Sequence, residues 1–250
     1  MKTNIHTRLA LVILAVLILS GSVGIIALYR NDIANLFLQS GNSHFGGSGV
    51  YNLKVAETYY RGALLLNPNI PDAWHQLARI SFLAGDLDGA LEKIHTQIRL
   101  HNEDLMSSYY IRGLIHGYRK EYPEAETDFS TFLLWDPKNW AAHNDLAWIY
   151  FSQGKFTASQ KEAETALSFD PYNPWLHTMR GMSLFNLGKF TDAKETLLLA
   201  QRYAKELTEA DWSKAYPGND PRIAKEGLAL MRQGIEENLE LVIHKQTGDQ

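Results

Sequence analysis

The chain of 250 residues contains no cysteine. That absence excludes disulfides, thiolate nucleophiles and cysteine-ligated zinc or iron–sulfur centres. Motifs of other chemistries are missing too: there is no HExxH, no nucleophile elbow and no phosphate loop. The run Gly46-Gly47-Ser48-Gly49 precedes no GK[ST] and follows no strand pattern, so it reads as linker. The nine histidines show no ligand spacing; His95 and His101, for example, are not i, i+4 neighbours on a helix. Positive charge is also scarce. Lys and Arg number 24 against 28 Asp and Glu, for a net charge of -4. Residues 1–30 carry Lys2, Arg8 and Arg30 with no acid, which leaves the rest of the chain at about -7. An acidic body repels phosphate backbones, so no nucleic-acid partner is expected. Neither catalysis, nor a cofactor, nor a metal site is expected. Aromatic surface, by contrast, is plentiful. Six Trp, twelve Tyr and ten Phe can fill a large core.

The longest uncharged run lies near the start. Residues 9–29 carry no charge between Arg8 and Arg30. As a helix they would be roughly 32 Å long, matching the ~30 Å hydrocarbon core of a bilayer. A cleaved signal peptide is the competing reading, with Ser20-Gly21-Ser22 as small residues near a cleavage site. The apolar stretch continues through Val23, Ile25, Ile26 and Leu28, beyond the usual length of a signal, which favours a retained anchor. Lys2 and Arg8 precede the span and only Arg30 closely follows it. The positive-inside rule then places the N-terminus in the cytoplasm and the remainder outside it, in the periplasm of a bacterium.

The body of the chain repeats itself. LLLNPN, LLWDPKN and LSFDPYNP align through Pro68, Pro137 and Pro171, with a weaker copy in IRLHNED. The resulting units span 71–105, 106–139, 140–173 and 174–207. One site holds Trp74, Tyr109, His143 and His177; four residues on come Ala78, Gly113, Ala147 and Gly181. Twelve further on come Ala90, Ala125, Ser159 and Ala193, followed by Ile94, Phe129, Ala163 and Leu197. Such a period marks units that cannot bury their apolar faces alone and must stack. Small residues let two helices approach, and the large residue beyond fills the neighbouring groove. Gly85, Gly154 and Gly188 are placed to cap the first helix of their units in a left-handed conformation. Thr157 with Gln160 has the form of a capping box, and His143 and His177 read as side chains packed between helices. Arg112 and Arg180 read as stems along apolar surface with exposed heads.

This register resembles the tetratricopeptide-repeat pattern over residues 50–207. The resemblance implies an all-α, right-handed α-solenoid of helix–turn–helix units, here preceded by one transmembrane helix. The expected organisation is a cytoplasmic tail at 1–8, the span at 9–29, and a flexible juxtamembrane linker at 30–49. A half repeat, second helix only, follows at 50–70 and precedes the four full units. A degenerate fifth unit ending in a capping helix occupies 208–244, with Tyr216-Pro217-Gly218 breaking its first helix and Asp220-Pro221 starting the next. A disordered tail closes the chain at 245–250.

The resemblance also implies a concave groove lined by the first helices. Carried onto this sequence, the lining is Asp72, His75 and Arg79 in the first unit, then Ser107, Tyr110, Leu114 and Gly117. Ala141, Asn144, Trp148 and Phe151 follow, then Trp175, Thr178, Met182 and Phe185. The lining runs from polar to aromatic. The Lys-Asn-Asn-Lys-Arg set by which some members clamp a chaperone's C-terminal carboxylate is not matched. Two readings stand for the aromatic end: a pocket for a peptide, or a surface covered by residues 208–244 folding back. The function expected is that of a membrane-anchored scaffold holding a protein or peptide partner in a membrane or envelope assembly. The alternative is a sensory domain that holds a small apolar molecule or lipid.

Overall fold

Helix boundaries follow the punctuation of the repeats. The computed structural model describes residues 29–47, 51–101, 106–216 and 218–247. The expected span at 9–29 lies, apart from Tyr29, outside the described residues. Among the described residues no helix is long and apolar enough to cross a membrane. After a first helix over 29–42, called α1, the helices are α2 (Leu53–Leu66), α3 (Ala73–Leu83), α4 (Leu87–His101) and α5 (Ser107–Tyr118). Then come α6 (Tyr122–Trp135), α7 (Trp140–Ser152), α8 (Phe156–Leu167), α9 (Pro174–Asn186) and α10 (Phe190–Glu206). The short α11 (Glu209–Ala215) and the long α12 (Ala224–Thr247) complete the chain, and no strand occurs among the described residues.

Helices pair as hairpins, α3 with α4 through α9 with α10, and each hairpin stacks on the next. Within the hairpins a left-handed residue reverses the chain: Gly85 (φ 77°), Gly154 (φ 72°) and Gly188 (φ 76°), as the sequence predicts. In the second unit Lys120 takes this conformation at φ 63°, where a side chain is tolerated less well than glycine. Between units, the turns Asp136–Asn139 and Asp170–Asn173 carry their own caps. Asn139 Oδ1 accepts from Ala142 N at 3.0 Å and Asn173 Oδ1 from Trp175 N at 3.0 Å, while each Nδ2 donates to the preceding Asp.

Packing obeys a size rule. Gly113 and Gly181 are buried, and a Cβ built on either would stand 3.1 Å from the Phe129 ring or 2.7 Å from Leu197. Ala78, Ala90, Ala125, Ala147 and Ala193 are fully buried at equivalent contacts. The close approach of the paired helices therefore depends on residues with little or no side chain facing a large one.

The N-terminal region departs from expectation. Residues 29–42 form a helix, not a linker, and pack on α2, so 50–70 has a partner and is no half repeat. Ala34, Phe37 and Leu38 pack with Ala63, Ile70 and Ala73, and Gly41 faces the ring of Tyr60 as Gly181 faces Leu197. Gly41 and Tyr60 are nineteen residues apart, whereas Gly113–Phe129 and Gly181–Leu197 are sixteen apart. The surplus sits in the kinked π-helical turn Ser43–Gly47, where Gly46 has φ 116°. A composition of small and polar residues there builds a turn between two packed helices.

Three smaller expectations fail for identifiable reasons. Thr157 does not cap α8: Gly154 turns the chain so tightly that Lys155 is already the N-cap, and Phe156 packs on Phe151 at 5.2 Å. Arg112 does not hold its head in water, because it makes a two-pronged bond to the buried Asp128 at 2.8 and 2.6 Å. Arg180 bonds Glu164 at 2.9 Å and Thr196 at 2.7 Å. At the end of the chain α12 continues through Lys245 to Thr247, which leaves only 248–250 outside the described residues. The helix lies along α10, burying Ile235, Leu239 and Val242. Arg232 donates to the Ala204 and Leu207 carbonyls at 3.0 and 2.9 Å, so its positive charge sits where the α10 dipole is negative.

The size rule gives a stability prediction. Gly181→Leu and Ala125→Leu should each cost about 1–3 kcal/mol by overpacking, and Lys161→Leu on the exposed side of α8 far less. Chemical denaturation of the three variants reads the difference; equal costs would contradict the packing described.

Candidate functional site

The first helices α3, α5, α7 and α9 lie side by side, and their facing side chains meet the C-terminal segment after α10. Thr208 opens that segment with a capping box on Asp211, which fixes the start of α11. Trp212 is then buried against Ala224 and Leu228. It lies flat over Gly227, where no side chain could be added without meeting the indole. From this anchor residues 216 and 218–220 run back over the solenoid as a strap, with Pro217 outside the described residues.

The strap meets the groove at both ends. Trp175 Nε1 donates to Tyr216 Oη at 2.8 Å, and the Trp212 and Tyr216 rings lie 4.8 Å apart. The Trp140 ring lies 5.4 Å from that of Trp175, tilted by 30°. At the other end Tyr51, which precedes α2, donates to the Gly218 carbonyl at 2.9 Å. Gly218 has φ 95° and sits so close to the Arg79 guanidinium that a Cβ would collide with it. Arg79 lies 4.6 Å from the Phe45 ring centroid and donates to Gln76 at 2.9 Å. Its burial pulls its pKa below the ordinary guanidinium value. One short segment thus reaches from the fourth full unit to the first.

Between these ends the floor is polar. Tyr110 Oη donates to Asp145 Oδ2 at 2.6 Å, and the Tyr110 ring rests on Phe132 at 5.3 Å. Asp145 keeps part of its surface in contact with water, yet protein crowds its carboxylate. That desolvation raises its pKa to about 6, although hydrogen bonds from Tyr110 and Asn144 favour the ionised form. Burial, and next the Asp145 charge, push the Tyr110 hydroxyl well above its ordinary value. Burial likewise raises Tyr216.

Beyond the strap the groove is open. Trp148, Phe151, Phe156, Met182 and Tyr122 line a cleft of about 780 Å³ whose rim includes Thr178, Asn186 and Asn238. Asn238 comes from α12, so that helix forms one wall without filling the space. Trp175 is therefore covered by the C-terminal segment, while Trp148, Phe151 and Met182 line the open cleft.

Other groove assignments fare differently. His75 is buried between hairpins, its Nδ1 3.0 Å from Ser108 Oγ; burial, and next Arg79, lower its pKa to about 3. Leu114 packs into the core beside Ile115 and Phe129, and Phe185 into the α9–α12 contact with Leu239 and Val242. Asp72 is the N-cap of α3 in a left-handed conformation at φ 69° and makes no capping bond through its side chain. Gly117 accommodates Trp148, whose ring would meet any Cβ there. Outside the groove, His143 is buried as expected, its Nδ1 2.8 Å from Glu162. His177 is buried too, its Nε2 bonded to the Pro171 carbonyl at 2.9 Å. Asp145, Tyr51 and Tyr216 are the residues that the register misses. An acid directly before the apolar run of α7, Leu146-Ala147-Trp148-Ile149-Tyr150-Phe151, is the one signal in the sequence.

Residues 112–174 match the tetratricopeptide repeat family. Among solved structures the chain is similar to MamA from Desulfovibrio magneticus RS-1, at 17% identity and a TM-score of 0.62 over 70% of this chain and 97% of that one. The chain folds as a tetratricopeptide-repeat solenoid. A second similar structure is YrrB, a tetratricopeptide protein with an unusual peptide-binding site, at 15% identity and a TM-score of 0.59 over 72% of this chain and 91% of that one. A third is TTC0263, a thermophilic tetratricopeptide protein of Thermus thermophilus, at 17% identity and a TM-score of 0.53 over 79% and 99% of the two chains. A search of curated proteins finds no match.

The Asp145 carboxyl gives this solenoid a pH signature. Its folded pKa of about 6 lies above the unfolded value, so the neutral form adds stability that is fully present below about pH 4 and lost as pH rises through about 6. Asp145→Asn keeps an acceptor for Tyr110 and carries no charge. The variant's advantage over the native chain should be larger at pH 8 than near pH 4.5 by about 1–3 kcal/mol. Urea denaturation at the two pH values checks this, and a pH-independent gap would contradict it.

Proposed function

We propose that the chain is a non-enzymatic scaffold that binds a polypeptide partner in its concave face. The observation that carries this reading is the open cleft of about 780 Å³ lined by Trp148, Phe151, Phe156 and Met182. Aromatic and methionine side chains contribute most of the affinity at interfaces when a partner's apolar group displaces water from them. The rim of Ser152, Thr178, Asn186 and Asn238 offers hydrogen bonds to a partner's backbone. A pocket for a small apolar ligand or lipid would be closed and dry; the breadth and polar rim of this cleft favour a polypeptide. YrrB, with its peptide-binding site, supports the same reading by likeness of fold.

The partner reading is tested by a photoreactive residue at Phe151. Irradiation should yield discrete protein adducts there and none from the same residue at Lys161 on the outer side. Adding Met182→Asp should abolish the adducts without changing helical circular dichroism. Equal labelling at both positions would remove the groove from consideration.

We further propose that residues 9–29 tether the scaffold to a membrane, with the repeats outside the cytoplasm, and that the partner belongs to that membrane or envelope assembly. What supports this is the uncharged run and the basic residues before it. Because helix α1 begins by residue 29, such a tether would join the repeats without a long flexible spacer. A cysteine at Lys161 would be the only thiol in the chain. In intact cells or spheroplasts, a membrane-impermeant maleimide should label it without detergent and should label a cysteine at Thr3 only after lysis. The reverse pattern would place the repeats in the cytoplasm.

A further inference from the structure

Apart from the open cleft, the concave face already holds a peptide, and the peptide belongs to the chain itself. The strap enters the groove at Tyr216, whose hydroxyl accepts from Trp175 Nε1, and ends at Gly218, whose carbonyl accepts from Tyr51. Its backbone conformation at Gly218, φ 95°, is one that only glycine adopts freely, and the Arg79 guanidinium fills the place a Cβ would take. These contacts select a hydroxylated ring followed two residues later by glycine. Arg79, Tyr51 and Trp175 belong to none of the small-against-large pairs that set the approach of the paired helices.

We infer that the Arg79–Tyr51–Trp175 stretch of the groove is a second peptide-binding subsite, specific for a tyrosine followed at the second position by glycine, and that Tyr216 and Gly218 occupy it in cis until a partner bearing that motif displaces them. The inference rests on the reading of this face as polypeptide-binding and adds the chemistry of one subsite. Displacement is feasible because Tyr216 keeps 39% of its surface exposed. Trp212, seated on Gly227 and Leu228, stays behind as the hinge anchor of the released segment. A tethered segment competes at an effective concentration of the order of mM, so a free peptide should bind the native chain poorly.

The test uses the full chain and a fluorescent synthetic peptide spanning 213–222. Tyr216→Ala removes the ring of the resident strap, and the variant should bind the peptide saturably at least ten-fold tighter than the native chain does. Gly218→Val, which collides with Arg79 and strains the backbone, should release the strap by a second route and give the same gain. Adding Trp175→Ala to either variant should abolish binding, while adding Met182→Ala in the open cleft should leave it unchanged. Absence of a gain in both releasing variants, with helical circular dichroism intact, would overturn the inference. So would binding that depends on Met182 and not on Trp175. Peptide binding that follows Trp175 while Phe151 yields no adducts would uphold this subsite and remove the open cleft as the partner's site.

Discussion

The structure depends on one steric constraint, the contact of a small residue on one helix with a large one on its neighbour. Gly113 against Phe129, Gly181 against Leu197 and Gly41 against Tyr60 set how closely the two helices of a hairpin approach. A hairpin formed in this way buries one face and leaves the other apolar, so each unit needs the next. With no cysteine and, among the described residues, no cluster that would hold a metal, burial and shape are what close the solenoid. The capping turns after Asp136 and Asp170 then fix how one unit leads into the next, because each Asn holds both the turn behind it and the first amides of the helix ahead.

That stacking creates the concave face and limits what it can do. Side chains that point away from hairpin contacts are brought together there from four helices. The chain divides the result between two environments. In one, Tyr110, Asp145 and Arg79 form a polar floor over which the strap passes. In the other, Trp148, Phe151 and Met182 stay open to solvent. Desolvation raises the pKa of the Asp145 carboxyl to about 6, and its charge acts on Tyr216 of the segment that crosses between units.

What the sequence makes legible follows from what repeats. The four glycine and alanine contacts recur in register, so the hairpins, their turns and the buried histidines at 143 and 177 were readable. Lys120 shows the limit, since its left-handed conformation is imposed by position in the hairpin and not by residue type. The first hairpin escaped because its turn is three residues longer and rich in glycine and serine, which composition alone reads as linker. The groove was legible only by analogy of position. Trp148, Phe151 and Met182 line the open cleft, but His75 is buried and Leu114 packs against the core. Asp145 and Tyr216 belong to no repeat site. The bond from Trp175 to Tyr216 is a long-range contact that no periodicity encodes.

The central claim is that the C-terminal segment crosses the concave face and reaches the first hairpin. The chain lacks native thiols, so cysteines placed at Asn52 and Arg222 accept spin labels without background. Pulsed electron-spin resonance on the full chain should give a single short, narrow distance distribution between them, because Tyr51 bonds Gly218 and the backbone N–H at 222, kept in the variant, bonds Asp220. Tyr216→Ala should broaden and lengthen it. A broad, long distribution in the native chain would mean that the strap leaves the groove empty, and the account given of the concave face would be wrong.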